Sequence, residues 1–209
     1  MASAEEVTAE ETRTRLLQTM THLMWTGSYA AASVGRVCKA AGANKGSFYH
    51  YFRSKEELAL EALDKVWEMA KQDIFERAFH ESIPPLDRFR RLEDLNYEFH
   101  RAQRGEAWDA EQGCIFENIG TEGGPENARL HAKSKEVFGY QRGYMKTAVL
   151  DGIAAGSIPD QDADAATRRI IAFQGGLNIK AKIFNDVEWL RELFPGIRGI
   201  LGAAAARTT

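Results

Sequence analysis

The chain has 209 residues, 44% hydrophobic and 27% charged, which suits one or two globular domains with a proper core. No stretch approaches the about 20 apolar residues that a bilayer crossing needs, and the acidic start MASAEEVTAEE does not read as a signal peptide. Cys38 and Cys114 form neither a disulfide framework nor a CxxC or Cys/His motif, and His22, His50, His80, His100 and His131 lack ligand spacing, so the expectation is a cytoplasmic protein with no membrane partner, no metal and no cofactor.

Charge is distributed unevenly. The window Thr12 to Lys55 holds seven basic residues (Arg13, Arg15, Arg36, Lys39, Lys45, Arg53, Lys55) and no Asp or Glu. That leaves 20 of the 27 basic residues and all 30 acidic ones to the rest. A basic module on an acidic body points to one end that meets a polyanion.

In chain order, Thr8 to Glu11 reads as a capping box, followed by a helical face of Leu16, Leu17, Met20, Leu23 and Met24 that Gly27 ends. Ser33 can cap a second, short helix with Val34, Val37 and Cys38 inward, and Gly42 suits the left-handed position that stops it. Asn44 can cap a third helix from Lys45 to about Tyr51. Two short helices around a glycine turn are the helix-turn-helix signature. Phe48 and Phe52, four apart, are expected to lock the third helix onto the first two. Tyr49, His50 and Tyr51 cannot all face inward on so short a helix. Lys45, Gly46 and Ser47 lie at the end of the helix that usually enters the major groove, and the tyrosine hydroxyls can donate to phosphate.

The segment AGANKGSFYHYFRSKEEL, Ala41 to Leu58, resembles the DNA-binding signature of the TetR family of bacterial transcriptional regulators, commonly AGV-x-KGSFYHYF-x-SKEEL. Ala43 stands where valine is usual. The resemblance covers about Arg13 to Leu63. It implies an all-α homodimer: an N-terminal three-helix helix-turn-helix domain, placed at 1–55, followed by a larger helical ligand-binding and dimerisation domain, placed at 56–209. Carried over by position, the DNA contacts are Ser33, Lys45, Gly46, Ser47, Tyr49, His50, Tyr51 and Lys55, with Lys55 on a phosphate.

Ser54 to Glu57 is a second capping box, opening a helix to about Phe79 that Pro84-Pro85 ends; another helix follows to about Arg104. Gly105 to Gly113 reads as a loop. The block GCIFENIGTE, Gly113 to Glu122, resembles one in a TetR subgroup responsive to electrophiles and unsaturated acids, Gly-Cys-Leu-x-x-x-Leu-x-x-Glu, with Ile115 and Ile119 at the leucine positions and Glu122 at the acid. After the break Gly123-Gly124-Pro125 come a long helix with Leu130 to Ile153, a helix opened by Asp162 or Asp164, and a last helix after Asn185 bent near Pro195. Gly175-Gly176 costs helix propensity, about 1 kcal/mol per glycine, and could permit close approach of another backbone. The last two helices are expected to form a four-helix interface with their mates, with Ile171 and Phe173 as residues to test.

No HExxH, GxSxG, Walker or dinucleotide glycine pattern occurs, so no enzyme is expected. The C-terminal part offers aromatics and sparse polar groups, a composition that suits either an apolar pocket or an ordinary core. The candidate ligand or sensor residues are Cys114, Glu117, Asn118, Lys182, Phe89, Trp108 and Phe138. Two roles fit Cys114: a small buried hydrophobe, or a sensor thiol at a helix start assisted by a lysine. The segment GLNIKAK, Gly176 to Lys182, resembles the subgroup's lysine-bearing helix, with Lys182 at the matching position and Lys180 as competitor. The reading is a ligand- or redox-responsive repressor that binds a palindromic operator in double-stranded DNA as a homodimer and releases it to a small-molecule inducer or electrophile. The alternatives are an activator of the same family, and a small-molecule enzyme or carrier with a vestigial DNA module.

Overall fold

The computed structural model describes residues 9–106, 110–122 and 127–203, and every element among them is helical. They are α1 (Ala9–Thr26), α2 (Val34–Ala41), α3 (Lys45–Tyr51), α4 (Lys55–Ala70), α5 (Glu76–Ala78), α6 (Pro85–Glu106), α7 (Ile115–Thr121), α8 (Ala128–Ala154), α9 (Ala163–Phe184) and α10 (Leu193–Leu201). A π-helical turn, Lys71–Phe75, joins α4 to α5, and a 3-10 segment, Val187–Glu192, precedes α10. By compactness the chain divides into two units: residues up to Trp67 together with Ile115–Lys135, and Glu68–Cys114 together with the chain from Glu136 onward. The segment 1–55 falls within the first unit, which also takes in part of α4 and a stretch from far downstream.

The helix ends follow the local chemistry of their caps. Ser33 Oγ accepts the Arg36 N–H at 3.2 Å to start α2, and Gly42 ends it at φ 62°. Asn44 Oδ1 accepts the Ser47 N–H at 2.8 Å to start α3. At α4, Ser54 Oγ accepts the Glu57 N–H at 3.0 Å, while the Glu57 carboxylate returns to the Arg53 N–H at 2.7 Å, one residue earlier than a regular capping box. Thr8, of the first predicted box, lies outside the described residues, as do 123–126. The rod from α4 to Ala78 runs helically through its π turn, which no feature of the sequence announced. Its end comes before the prolines; Pro85 opens α6 instead, where its missing N–H costs nothing. Pro195 likewise lies in the first turn of α10, so the expected bend is a change from 3-10 to α geometry.

In the first unit, α1, α2 and α3 bury Leu16, Met20, Met24, Val37, Phe48 and Phe52 together. In the second, Phe75 and Phe79 stack on each other at 6.1 Å, Tyr144 lies tilted against them at 5.6 and 5.8 Å, and Phe79 meets Phe89 edge-on at 5.7 Å. A Cβ on Gly176 would meet nothing within 4 Å, whereas one on Gly196 would lie 2.1 Å from the Phe173 ring. Phe173 therefore seats against α10 of its own chain.

Buried polar groups fix the second unit. Arg88 Nη1 donates to Asp151 at 2.6 Å and its Nε to the Ile83 carbonyl at 2.9 Å. Glu93 accepts the Phe194 N–H at 2.7 Å, capping the start of α10. His100 and Glu111, both buried, share a hydrogen bond of 2.7 Å, His100 Nδ1–H donating to Glu111 Oε1. The same oxygen accepts the Gly113 N–H at 3.0 Å, and the Glu111 N–H donates to Asn185 Oδ1 at 2.9 Å. The strap ahead of α7 is thus tied to α6 and to the end of α9. Burial pushes the Glu111 pKa up, but the His100 hydrogen bond and charge, with the backbone N–H groups of Gly113 and Gln112, outweigh it and hold the carboxyl below the usual glutamate value.

A carboxyl depressed in the folded state contributes stability above its unfolded pKa, about 4.3, and loses it as pH falls through the folded value. Glu111→Gln is expected to remove that component, so that denaturant unfolding becomes less pH-dependent below about pH 5. His100→Ala, which leaves the carboxylate buried without this partner, is expected to cost about 2–4 kcal/mol in the same measurement at pH 7.

Candidate functional site

The outward face of the helix-turn-helix is set by what its two phenylalanines do. Phe48 and Phe52 are fully buried, with rings 6.0 Å apart, and fix the rotation of α3 about its axis. Lys45, Gly46, Tyr49 and His50 are then exposed, Tyr49 at 58%, and Ser47 and Tyr51 are half-buried. Tyr49 is propped edge-on against Phe48 at 5.1 Å, and Tyr51 against His50 at 4.8 Å. The two tyrosine rings are thus held by their neighbours, which lowers the entropy lost on docking. Ser33 is exposed and caps α2 through its oxygen lone pair, an interaction that leaves its hydroxyl proton for a phosphate.

Lys55 is placed differently from a free surface lysine. Its Nζ donates to the Tyr29 carbonyl at 2.9 Å and lies 3.7 Å from the centre of the Tyr29 ring. Burial lowers its pKa from the usual lysine value, and the charge of Glu122 works against that drop. An ammonium has three donors, so this arrangement aims the lysine while leaving it capacity for a phosphate oxygen. Arg13 is also committed: it pairs with Glu61 and lies over the Phe52 ring at 5.3 Å.

The expected ligand residues are divided between the two units. Glu117 and Asn118 lie in the first, where Asn118 Nδ2 reaches the Trp25 carbonyl at 3.4 Å. Cys114, Lys182, Phe89 and Phe138 lie in the second, and Trp108 falls outside the described residues. Phe89 is fully buried and Phe138 half-buried. Cys114, half-buried, directly precedes α7. Its neighbour Gly113 adopts φ 66°, and a Cβ there would lie 3.3 Å from the Asn178 carbonyl oxygen and 3.6 Å from the Lys182 stem. Residues 178 and 182 share one face of α9, so Lys180 points away from the strap. The other cysteine, Cys38, is buried, which raises its pKa.

The sequence did not single out a groove of about 490 Å³ in the second unit, lined by Phe79, Arg88, Gly139, Tyr140, Gly143, Tyr144 and Thr147. Residues 140 and 144 recur at helical spacing and 139 and 143 are glycines, a pattern visible in the sequence but shared with ordinary helix surfaces. Among the described residues no group of His, Cys, Asp and Glu could hold a metal ion, and no helix is long and apolar enough to cross a membrane.

Comparison with known proteins gives two family matches. Residues 16–62 match bacterial regulatory proteins of the tetR family, and residues 85–195 match the tetracyclin repressor-like C-terminal domain. The chain is 35% identical over 163 residues to the transcriptional regulator AcuR of Cereibacter sphaeroides, covering 74% of this chain and 69% of that one. It is 26% identical over 177 residues to the HTH-type transcriptional repressor DhaR of a Mycobacterium species, covering 84% and 85%. A solved TetR transcriptional regulator from Chloroflexus aurantiacus superposes with a TM-score of 0.77 at 27% identity, over 93% of this chain and 96% of that one. These relatives are transcriptional regulators rather than enzymes. With its exposed recognition helix and its helical C-terminal part, the chain belongs to the TetR family of DNA-binding transcriptional regulators.

Proposed function

We propose that this regulator is a repressor that holds a palindromic operator as a homodimer and releases it when a small molecule or electrophile acts on its C-terminal part. The observation that carries the reading is the outer face of α3, where Lys45, Tyr49 and His50 stand exposed in a window without a single acid. Lys45, Gly46, Ser47 and His50 read bases, and Ser33, Tyr49, Tyr51 and Lys55 hold the backbone. One seven-residue helix reads few bases; two related by a twofold axis read half-sites about 34–36 Å apart or a multiple of that. The name of DhaR supports repression over activation.

For the dimer, α9 supplies an apolar stripe. Ile179, Ile183 and Phe184 are 50%, 65% and 59% exposed, while Phe173, the earlier candidate, is packed against Gly196. Phe184 stacks on Trp189 at 5.3 Å, extending the patch.

For the trigger, the approach of Gly113 to the Lys182 stem supports Cys114 as a thiol beside Lys182, belonging to the electrophile-responsive subgroup. The groove at Phe79 and Tyr144 supports a second reading, a non-covalent ligand.

A shift assay on the chain's own upstream DNA should show specific binding that weakens steeply with salt. Tyr49→Phe should weaken it by about 1 kcal/mol on every sequence, while His50→Ala relaxes preference at one position of each half-site. Binding that is insensitive to salt and sequence would sink the reading. In sedimentation, Ile183→Glu should yield monomers; an unchanged dimer removes α9 from the interface. N-ethylmaleimide should add to Cys114 before Cys38 and release the duplex, and Cys114→Ser should keep it. Release by the serine variant equal to the wild type rules out the thiol.

A further inference from the structure

Segment 115–135 belongs by sequence to the region matched by the C-terminal family domain, yet it packs in the first unit with the DNA-reading helices. Both its ends continue into the second unit, at Cys114 and at Glu136. It buries Ile115, Phe116, Ile119 and Leu130, and polar contacts add to that packing. Arg129 pairs with Glu56 at 2.7 Å and Lys133 with Asp64 at 2.9 Å, linking the start of α8 to α4. Such partly exposed pairs are individually weak.

Glu122 makes a different kind of contact. Its carboxylate accepts the Tyr29 N–H at 2.7 Å and the Ala30 N–H at 3.3 Å, in the turn between α1 and α2. Its own carbonyl meets His131 Nε2 at 2.7 Å, tying it to α8. Tyr29 is buried, and its carbonyl and ring are the seat of the Lys55 ammonium. One residue's backbone is therefore gripped by a carboxylate at its N–H and by an ammonium at its carbonyl. Such charge-assisted bonds are about twice as strong as neutral ones.

The origin of the carboxylate matters. A turn can satisfy its own N–H groups locally, and here Ser28 Oγ already accepts the Ala31 N–H at 3.1 Å. The acceptor for Tyr29 comes instead from 93 residues along the chain. A local acceptor would stabilise the turn unconditionally. A distant one stabilises it only while segment 115–135 stays in place.

We propose that Glu122 is the positioning residue through which segment 115–135 sets the DNA-reading head: it holds the Tyr29 turn, and through it the seat of Lys55, in the DNA-binding arrangement. Displacement of the segment withdraws the carboxylate, loosens the turn and unseats the lysine from its phosphate. The inference rests on the reading of the chain as a regulator whose DNA grip is released from its C-terminal part. By linkage the coupling is reciprocal: DNA held by the head must stabilise the segment.

The test uses the full chain as a dimer, a duplex selected from a random pool by the wild type, and amide hydrogen exchange read by mass spectrometry. Glu122→Ala should speed exchange at the Tyr29 and Ala30 amides about tenfold or more. Glu122→Gln, which keeps size and one acceptor, should fall between and serves if the alanine variant folds poorly. In the wild type, the duplex should slow exchange across 115–122; in the variants the duplex still binds, more weakly, and that slowing is lost. Unchanged exchange at the two amides, or duplex-dependent slowing that persists in both variants, overturns the proposal. Failure of the repressor reading would appear separately, as a wild type that retains no duplex from the pool, while the two amides still decide what Glu122 holds.

Discussion

A seven-residue helix is too short to persist on its own in water, because helix nucleation is not repaid over two turns. Everything α3 presents to DNA therefore depends on the burial of Phe48 and Phe52. Two such side chains supply about 1.5–3 kcal/mol each, and their spacing of four fixes which residues face out. The Asn44 and Gly42 caps set where the helix begins and how the chain enters it. With rotation and entry both fixed, Lys45, Tyr49 and His50 share an outer surface. The alternative rotation would place a lysine or a histidine in the core.

The basic window is not spent wholly on DNA. Arg13 is bound to Glu61 and rests on the Phe52 ring, so it supports the very packing that orients α3. Lys55 is seated on Tyr29. A bare count of positive charge thus overstates the number of side chains available to phosphates. The compensating acids, Glu61 and Glu122, come from outside the window, so the DNA-reading segment keeps a one-signed surface while its committed cations find partners.

The same pattern of remote polar partners runs through the second unit. Glu93 caps α10 from α6, and Glu111 joins α6, the strap and the end of α9 through His100, Gly113 and Asn185. Each is a buried carboxylate with backbone N–H or histidine donors, the arrangement in which burial of a charge is tolerated. Such contacts are directional, so they fix the register of elements that hydrophobic packing alone would leave free to slide.

The helical class, the cap residues Ser33, Gly42 and Asn44, the core role of Phe48 and Phe52, and the outward set on α3 were legible in the residues alone, while the structure chose Asp162 over Asp164 as the cap of α9. Those features depend on spacing within one or two turns, and local sequence encodes them directly. It also placed Cys114 at the start of a helix, since Gly113 breaks the chain before it. Tertiary structure alone decided the rest. That Gly196, and not Gly176, receives a neighbouring ring depends on how α9 crosses α10. That Glu111 meets His100, and that Glu122 meets Tyr29, depends on chain path over 11 and 93 residues. A lone Glu or His in a helical pattern reads as a solvated surface residue, and only the path of the backbone brings it to a buried donor. For the same reason the sequence could mark segment 113–122 as a motif but could not tell that most of it is built into the head it would regulate.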